Sequence, residues 1–178
     1  GAKIFLVPSG NCRDLSGVET SMRLVKVSSL KDAIAAIRTL SPAGCVEDLA
    51  SALEYLKSQN FTNGKVGVVG YCWGGGQSLN FATKCNQINA AVVYYGRNPD
   101  PLEQVANIAC PLMDNYAEDD PNIMPGVEPL QAELAKSGQS MDIKIYGDGA
   151  KHAFNNNTNA DRYHSDAAKD AWKRTVDF

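Results

Sequence analysis

Val66-Gly67-Val68-Val69-Gly70-Tyr71-Cys72-Trp73-Gly74-Gly75-Gly76 is an apolar run leading into a cysteine with a glycine two residues to either side. The β-branched part predicts a buried strand, and the glycine-rich continuation predicts the start of a helix. Cys72 then falls on the turn between them, where a strained bend holds a nucleophile in the open. Gly70 and Gly74 are expected to remove the side chains that would collide with it. The turn also sets the thiol at a helix N-terminus, where unpaired N–H groups favour an anion. A thiolate is the attacking form of cysteine, and one adjacent base is enough to produce it near neutral pH. A buried structural cysteine beside a Gly-rich turn is the competing reading.

Working outward, short apolar strands alternate with helical patterns, the signature of a parallel α/β sheet covered on both faces. The strands predicted are Ile4–Val7, Val66–Gly70, Ala91–Tyr95, Leu112–Tyr116 and Ile143–Tyr146. Helical spacing predicts Leu30–Leu40, Val46–Ser58, Gly74–Cys85, Val127–Ser137 and Ala167–Phe178, with Leu49, Leu53 and Leu56 on one face of the second. Residues 11–29 are polar and poorly patterned. The Gly- and Asn-rich stretch Gly147–Arg162 reads as a long loop, a length more often functional than decorative.

With 178 residues and 44% hydrophobic content, the chain is expected to form one domain over 1–178. A net charge of -3 gives no electrostatic reason to expect nucleic acid or an anionic membrane as partner. No apolar run is long enough to span a bilayer. The five cysteines lack a C-x-x-C pair and only two histidines could join them, so neither a metal nor another cofactor is expected. An odd cysteine count without framework spacing favours a reducing, cytoplasmic setting.

A thiol nucleophile needs a base, and the base needs an orienting group. After Leu112–Tyr116 comes Ala117-Glu118-Asp119-Asp120, carboxylates at the carboxyl end of a strand, where open α/β sheets carry their chemistry. After Ile143–Tyr146 comes Gly147-Asp148-Gly149-Ala150-Lys151-His152, which makes His152 the natural base. His164, at the entrance to the last helix, reads as a solvated surface residue. Tyr71, Trp73, Tyr95 and Phe154 stand beside strand ends, where core packing and a pocket wall both use aromatics. Trp73 and Phe154 favour the wall.

Gly70-Tyr71-Cys72-Trp73-Gly74-Gly75, Ala91-Val92-Val93-Tyr94-Tyr95-Gly96, Asn115-Tyr116-Ala117-Glu118-Asp119-Asp120, His152-Ala153-Phe154 and Ala171-Trp172-Lys173-Arg174-Thr175 follow one another in an order that resembles the dienelactone hydrolases. These are α/β-hydrolases with a Cys-Asp-His triad, and the resemblance covers residues 46–178. It implies a three-layer sandwich with a mostly parallel sheet, N-terminally truncated relative to the family. It also implies Cys72 as nucleophile, Asp120 as acid with Asp119 as runner-up, and His152 as base, acting on a small ester or lactone. The backbone N–H of Trp73 would be one oxyanion donor, with Tyr71, Phe154 and Arg162 contacting substrate. The family arginine that follows His-x-Phe is replaced here by Asn155-Asn156-Asn157, and Arg13 and Arg23 stay unassigned. Strands missing from the family pattern predict self-association as a homo-oligomer covering the gap. The alternative is a catalytically weak remnant serving as an assembly or binding module.

Overall fold

The computed structural model describes residues 4–8, 23–27, 29–37, 39–139 and 141–178. Its contacts divide the chain into two compact units, Gly1–Gly64 and Lys65–Phe178.

In the first unit, β1 (Ile4–Pro8) pairs in parallel with β2 (Arg23–Val27), Ile4 opposite Arg23 and Pro8 opposite Val27. The second strand was not expected from its polar surroundings, although Val25 and Val27 are β-branched residues that strands favour. Helix α1 covers Leu30–Ile37 and α2 covers Pro42–Ser58. The latter begins a turn earlier than its apolar spacing suggests. Ser41 accepts a hydrogen bond from the Gly44 amide at 3.0 Å, and Pro42 opens the helix where its missing N–H costs nothing.

The second unit holds a parallel four-stranded sheet in the order β3 (Gly67–Tyr71), β4 (Ala90–Tyr94), β5 (Leu112–Asp119), β6 (Met141–Lys151). Parallel neighbours need crossovers, supplied by α3 (Trp73–Ala82), a short 3-10 helix at Leu102–Asn107, and α4 (Val127–Lys136). Helix α5 (Ser165–Asp177) closes the chain. One face of the sheet is a core of Val92, Tyr94, Met113, Ala117 and Tyr146, onto which α5 lays Ala167 and Ala171. Those two alanines lie one turn apart on the same side of the helix. A separate cluster of Tyr116, Ile123 and Val127, with Ile143 against it, joins β5 and β6 to the start of α4. Each fully buried large side chain contributes about 1.5–3 kcal/mol relative to exposure.

The β5–β6 register decides where the loops emerge. Pairing runs from Leu112 opposite Met141 to Ala117 opposite Tyr146, then resumes with Asp119 opposite Lys151. Two steps on β5 are matched by five on β6, so β6 bulges by three residues. Asp148 and Gly149 take positive φ (53° and 84°) within that bulge. Gly147–Lys151, expected as the beginning of a loop, therefore belongs to the strand. Its length brings residue 152 level with residue 120.

Candidate active site

The strand-to-helix turn after β3 is strained at its centre: Cys72 has φ 53° and ψ −120°, a conformation side chains rarely adopt. Gly70 makes it possible. A Cβ there would lie 2.0 Å from the Gly74 carbonyl oxygen and 2.5 Å from Ser78 Oγ. Gly74 does not share this role, since a Cβ on it would meet nothing within 4 Å. The second crowded position is Gly75, whose Cβ would lie 2.7 Å from the Tyr94 oxygen, and Gly96 from β4's end wedges against Gly75 and Gly76. The Cys72 amide donates to the Tyr94 oxygen at 3.0 Å, pinning the turn to the neighbouring strand. Cys72 occupies the N-cap position of α3 but its side chain caps nothing, so the sulfur stays available. Trp73 is the first helical residue, and its N–H belongs to the turn of donors that have no partner inside the helix.

Asp120 follows β5 and is 1% exposed. Its Oδ1 accepts from the Asn122 amide at 3.3 Å, and its Oδ2 lies 2.5 Å from His152 Nδ1. A carboxylate only accepts, so Nδ1–H donates and Nε2 is left free. Asp119 faces away on the surface, paired through the backbone ladder with Lys151, and Glu118 is exposed. The acid that meets the histidine is thus Asp120.

Burial pushes the Cys72 thiol above its ordinary value, the Asp120 charge adds to the rise, and the Arg162 guanidinium opposes it. Those two charges place the sulfur, Asp120 and Arg162 in one neighbourhood. Among the described residues no hydrogen bond joins the Cys72 sulfur to His152. Such bonds are often long in unliganded enzymes and tighten with substrate.

Of the aromatic side chains, Trp73 is 51% exposed and Tyr71 36% exposed, stacked 4.5 Å from the Tyr94 ring. Phe154 corrects the expectation of a pocket wall. It is fully buried, packed between the rings of Tyr94, Tyr95 and Tyr146, and offers a substrate no surface. His164 is likewise not a solvated bystander. Its Nδ1 accepts from the Ala167 amide at 3.2 Å and caps α5, while its own amide donates to the Phe154 oxygen at 2.8 Å. Arg13 lies outside the described residues. Two hollows, of about 330 and 240 Å³, open elsewhere on the second unit, one beside Cys110 and Phe178 and one beside Tyr146 and His164; neither is lined by Cys72, Asp120 or His152. Among the described residues there is no cluster fit to hold a metal ion, and no helix is long and apolar enough to cross a membrane.

Tyr95 is the site residue that sequence reasoning left in the core. Its ring lies 4.9 Å from the His152 ring and its hydroxyl bonds Asn155. The only sequence signal was its place between a strand and Gly96.

A sequence profile described as "Dienelactone hydrolase family" matches residues 23–178. A "Putative carboxymethylenebutenolidase" of Saccharolobus solfataricus is 32% identical over 178 residues, which is 99% of this chain and 67% of that protein. "Protein usf" of Aquifex pyrophilus is 34% identical over 131 residues, 72% of this chain and 56% of that one. Among solved structures, a "Putative Dienelactone Hydrolase" from Klebsiella pneumoniae superposes with a TM-score of 0.75 at 21% identity, covering 99% of this chain and 85% of its own. The "Dienelactone Hydrolase-like Promiscuous Phospotriesterase P91" from metagenomic libraries follows with a TM-score of 0.69 at 18% identity, covering 99% and 84%. Both share the α/β-hydrolase-like layering described above.

Proposed function

Because the chain belongs to the dienelactone hydrolase family, a family of hydrolases, we propose that it cleaves small esters or lactones through Cys72. The observation that carries this reading is the Asp120–His152 bond at 2.5 Å, set at the same carboxyl edge of the sheet as the strained Cys72 turn.

His152 Nε2 takes the thiol proton, and the thiolate attacks the carbonyl carbon. The carbonyl π pair moves to oxygen, where the Trp73 N–H at the helix mouth stabilises it. Collapse expels the alkoxide, which leaves with the proton held on Nε2, and a thioester remains on Cys72. Water then gives its proton to Nε2 and attacks the thioester carbon. The carboxylic acid departs and the sulfur recovers its proton. Asp120 keeps its bond to Nδ1 and holds the imidazole with Nε2 forward. Nothing oxidises or reduces, and no cofactor is needed for the balance. The raised thiol makes the base essential, since little thiolate forms unaided at neutral pH.

Trp73 and Tyr71 provide exposed apolar surface beside the turn, and Arg162 is the cation whose charge reaches the sulfur, which supports their contact with substrate. The four described cysteines are free thiols, in keeping with a reducing compartment. Hydrolysis of an activated aryl ester, together with iodoacetamide labelling of Cys72, tests the reading. Both should disappear in Cys72→Ala. Turnover that survives in that variant refutes a thiol nucleophile, and a wild type that neither labels nor hydrolyses leaves the chain as a binding or assembly module.

A further inference from the structure

We infer that Tyr95 is a positioning residue that holds His152 through a latch to Asn155, an inference that rests on the proposed role of His152 as base. Tyr95 has φ 41°, and a bulky side chain in that region is an outlier. Such a conformation costs about 1–3 kcal/mol, and glycine at the same position would avoid it. The conformation is imposed from both sides. The Tyr95 amide donates to the Asn115 oxygen at 2.9 Å, the preceding Tyr94 oxygen receives the Cys72 amide, and the following Gly96 is wedged against the first turn of α3. The backbone cannot relax, and the chain still carries tyrosine there.

The side chain shows what that strain supports. It is 2% exposed, with its ring 4.9 Å from the His152 ring and 5.4 Å, edge-on, from Phe154. Its hydroxyl donates to Asn155 Oδ1. Burial drives the Tyr95 hydroxyl far above its ordinary value, so it remains a donor at every pH the protein meets. Across from it, the segment from His152 to Asn155 is itself bent, Ala153 having φ 67°. Tyr95 therefore grips this turn at both ends, by its ring at His152 and by its hydroxyl at Asn155. The Asp120 bond fixes where Nδ1 lies, but a single bond leaves the imidazole plane free to tilt. The Tyr95 ring, tilted 55° to the imidazole at 4.9 Å, limits that freedom and keeps Nε2 directed along one line.

The test compares the wild type with Tyr95→Phe and Asn155→Ala, each removing one half of the latch while the ring and the core packing stay. Aryl-ester hydrolysis should show kcat reduced by about three- to tenfold, the range expected for one neutral hydrogen bond, with KM unchanged. The double variant should lose no more than either single one. A second measurement needs no turnover: the NMR signal of the His152 Nδ1 proton should broaden through faster exchange with water in both variants. Wild-type kcat, or an unbroadened Nδ1 signal, in either variant overturns the latch. An inactive wild type defeats the hydrolase reading alone, because the proton signal still decides whether Tyr95 holds His152.

Discussion

Asp114→Asn should flatten the dependence of stability on pH. Asp114 lies in the middle of β5 with no exposed surface; the Tyr116 hydroxyl donates to its Oδ2 at 2.9 Å, and its Oδ1 has no partner. No cation faces it among the described contacts. Burial pushes its carboxyl up from 3.8 to about 7, against the smaller opposing effect of the Tyr116 bond. Tyr116, its one titratable neighbour, is held protonated by burial and by the Asp114 charge.

The sign follows from which form the fold prefers. The folded value lies above the unfolded one, so the stabilisation belongs to the protonated acid. It is fully present below about pH 4 and is lost as pH rises through about 7. The complete loss is worth about 4 kcal/mol, and the part falling between about pH 5 and about pH 8 is about 3 kcal/mol. Asparagine keeps the shape, accepts the Tyr116 hydrogen bond, and does not ionise. It leaves an amide donor unpartnered, at a cost of about 1–3 kcal/mol that does not change with pH. Urea unfolding of both proteins at about pH 5 and about pH 8 separates the two contributions, since every other titrating group cancels in the comparison. Wild type should lose about 3 kcal/mol more than the variant over that interval. Parallel losses would show that Asp114 is not a neutral acid in the folded state.

Gly70→Ala and Gly74→Ala flank the same cysteine and should part company. The first drives a Cβ to 2.0 Å from backbone, so unfolding should show a loss of about 3 kcal/mol or more together with failure of Cys72 labelling; the second enters open space and should stay within about 0.5 kcal/mol of wild type. Equal behaviour of the pair would refute the steric account of the turn. We also propose self-association: β3 ends its four-stranded sheet and leaves Val69 46% and Tyr71 36% exposed. Sedimentation velocity at micromolar concentration should give a multiple of the 19.1 kDa chain, and a single-chain mass refutes it.

Much of the second unit could be read from local pattern. Strand β4 is a run of Ala, Val and Tyr, buried almost throughout, and a strand covered on both faces selects such a run. The turn at Cys72 was legible because Gly70 is a steric requirement that no other residue meets. Other features were hidden because they depend on partners distant in the chain. Gly147-Asp148-Gly149 has the composition of a loop, and only pairing with β5 makes it a bulge within a strand. Phe154 stands beside His152 in sequence, but whether it faces outward or into the core is set by Tyr146 and by Tyr94, the latter 60 residues away in the chain. His164 is hidden for another reason: its partner Ala167 is only three residues on, but the capping oxygen that usually marks a helix start in sequence is here a ring nitrogen.

Asp120 and Tyr95 show why the site was harder to read than the fold. Three neighbouring acids, Glu118, Asp119 and Asp120, are equivalent by composition, and the family resemblance chose among them. The physical selection comes from the β6 bulge. By adding three residues before Lys151, it sets Asp119 on the ladder and leaves Asp120 as the first residue past it, turned inward to His152. Tyr95 is hidden for the opposite reason. Its backbone conformation contradicts its residue type, so every local rule points away from it. A position at which local preference is overruled, and which is locked by bonds on both sides, is where a fold stores strain for another purpose. Here that strain sets the Tyr95 ring 4.9 Å from the imidazole that we propose receives the thiol proton.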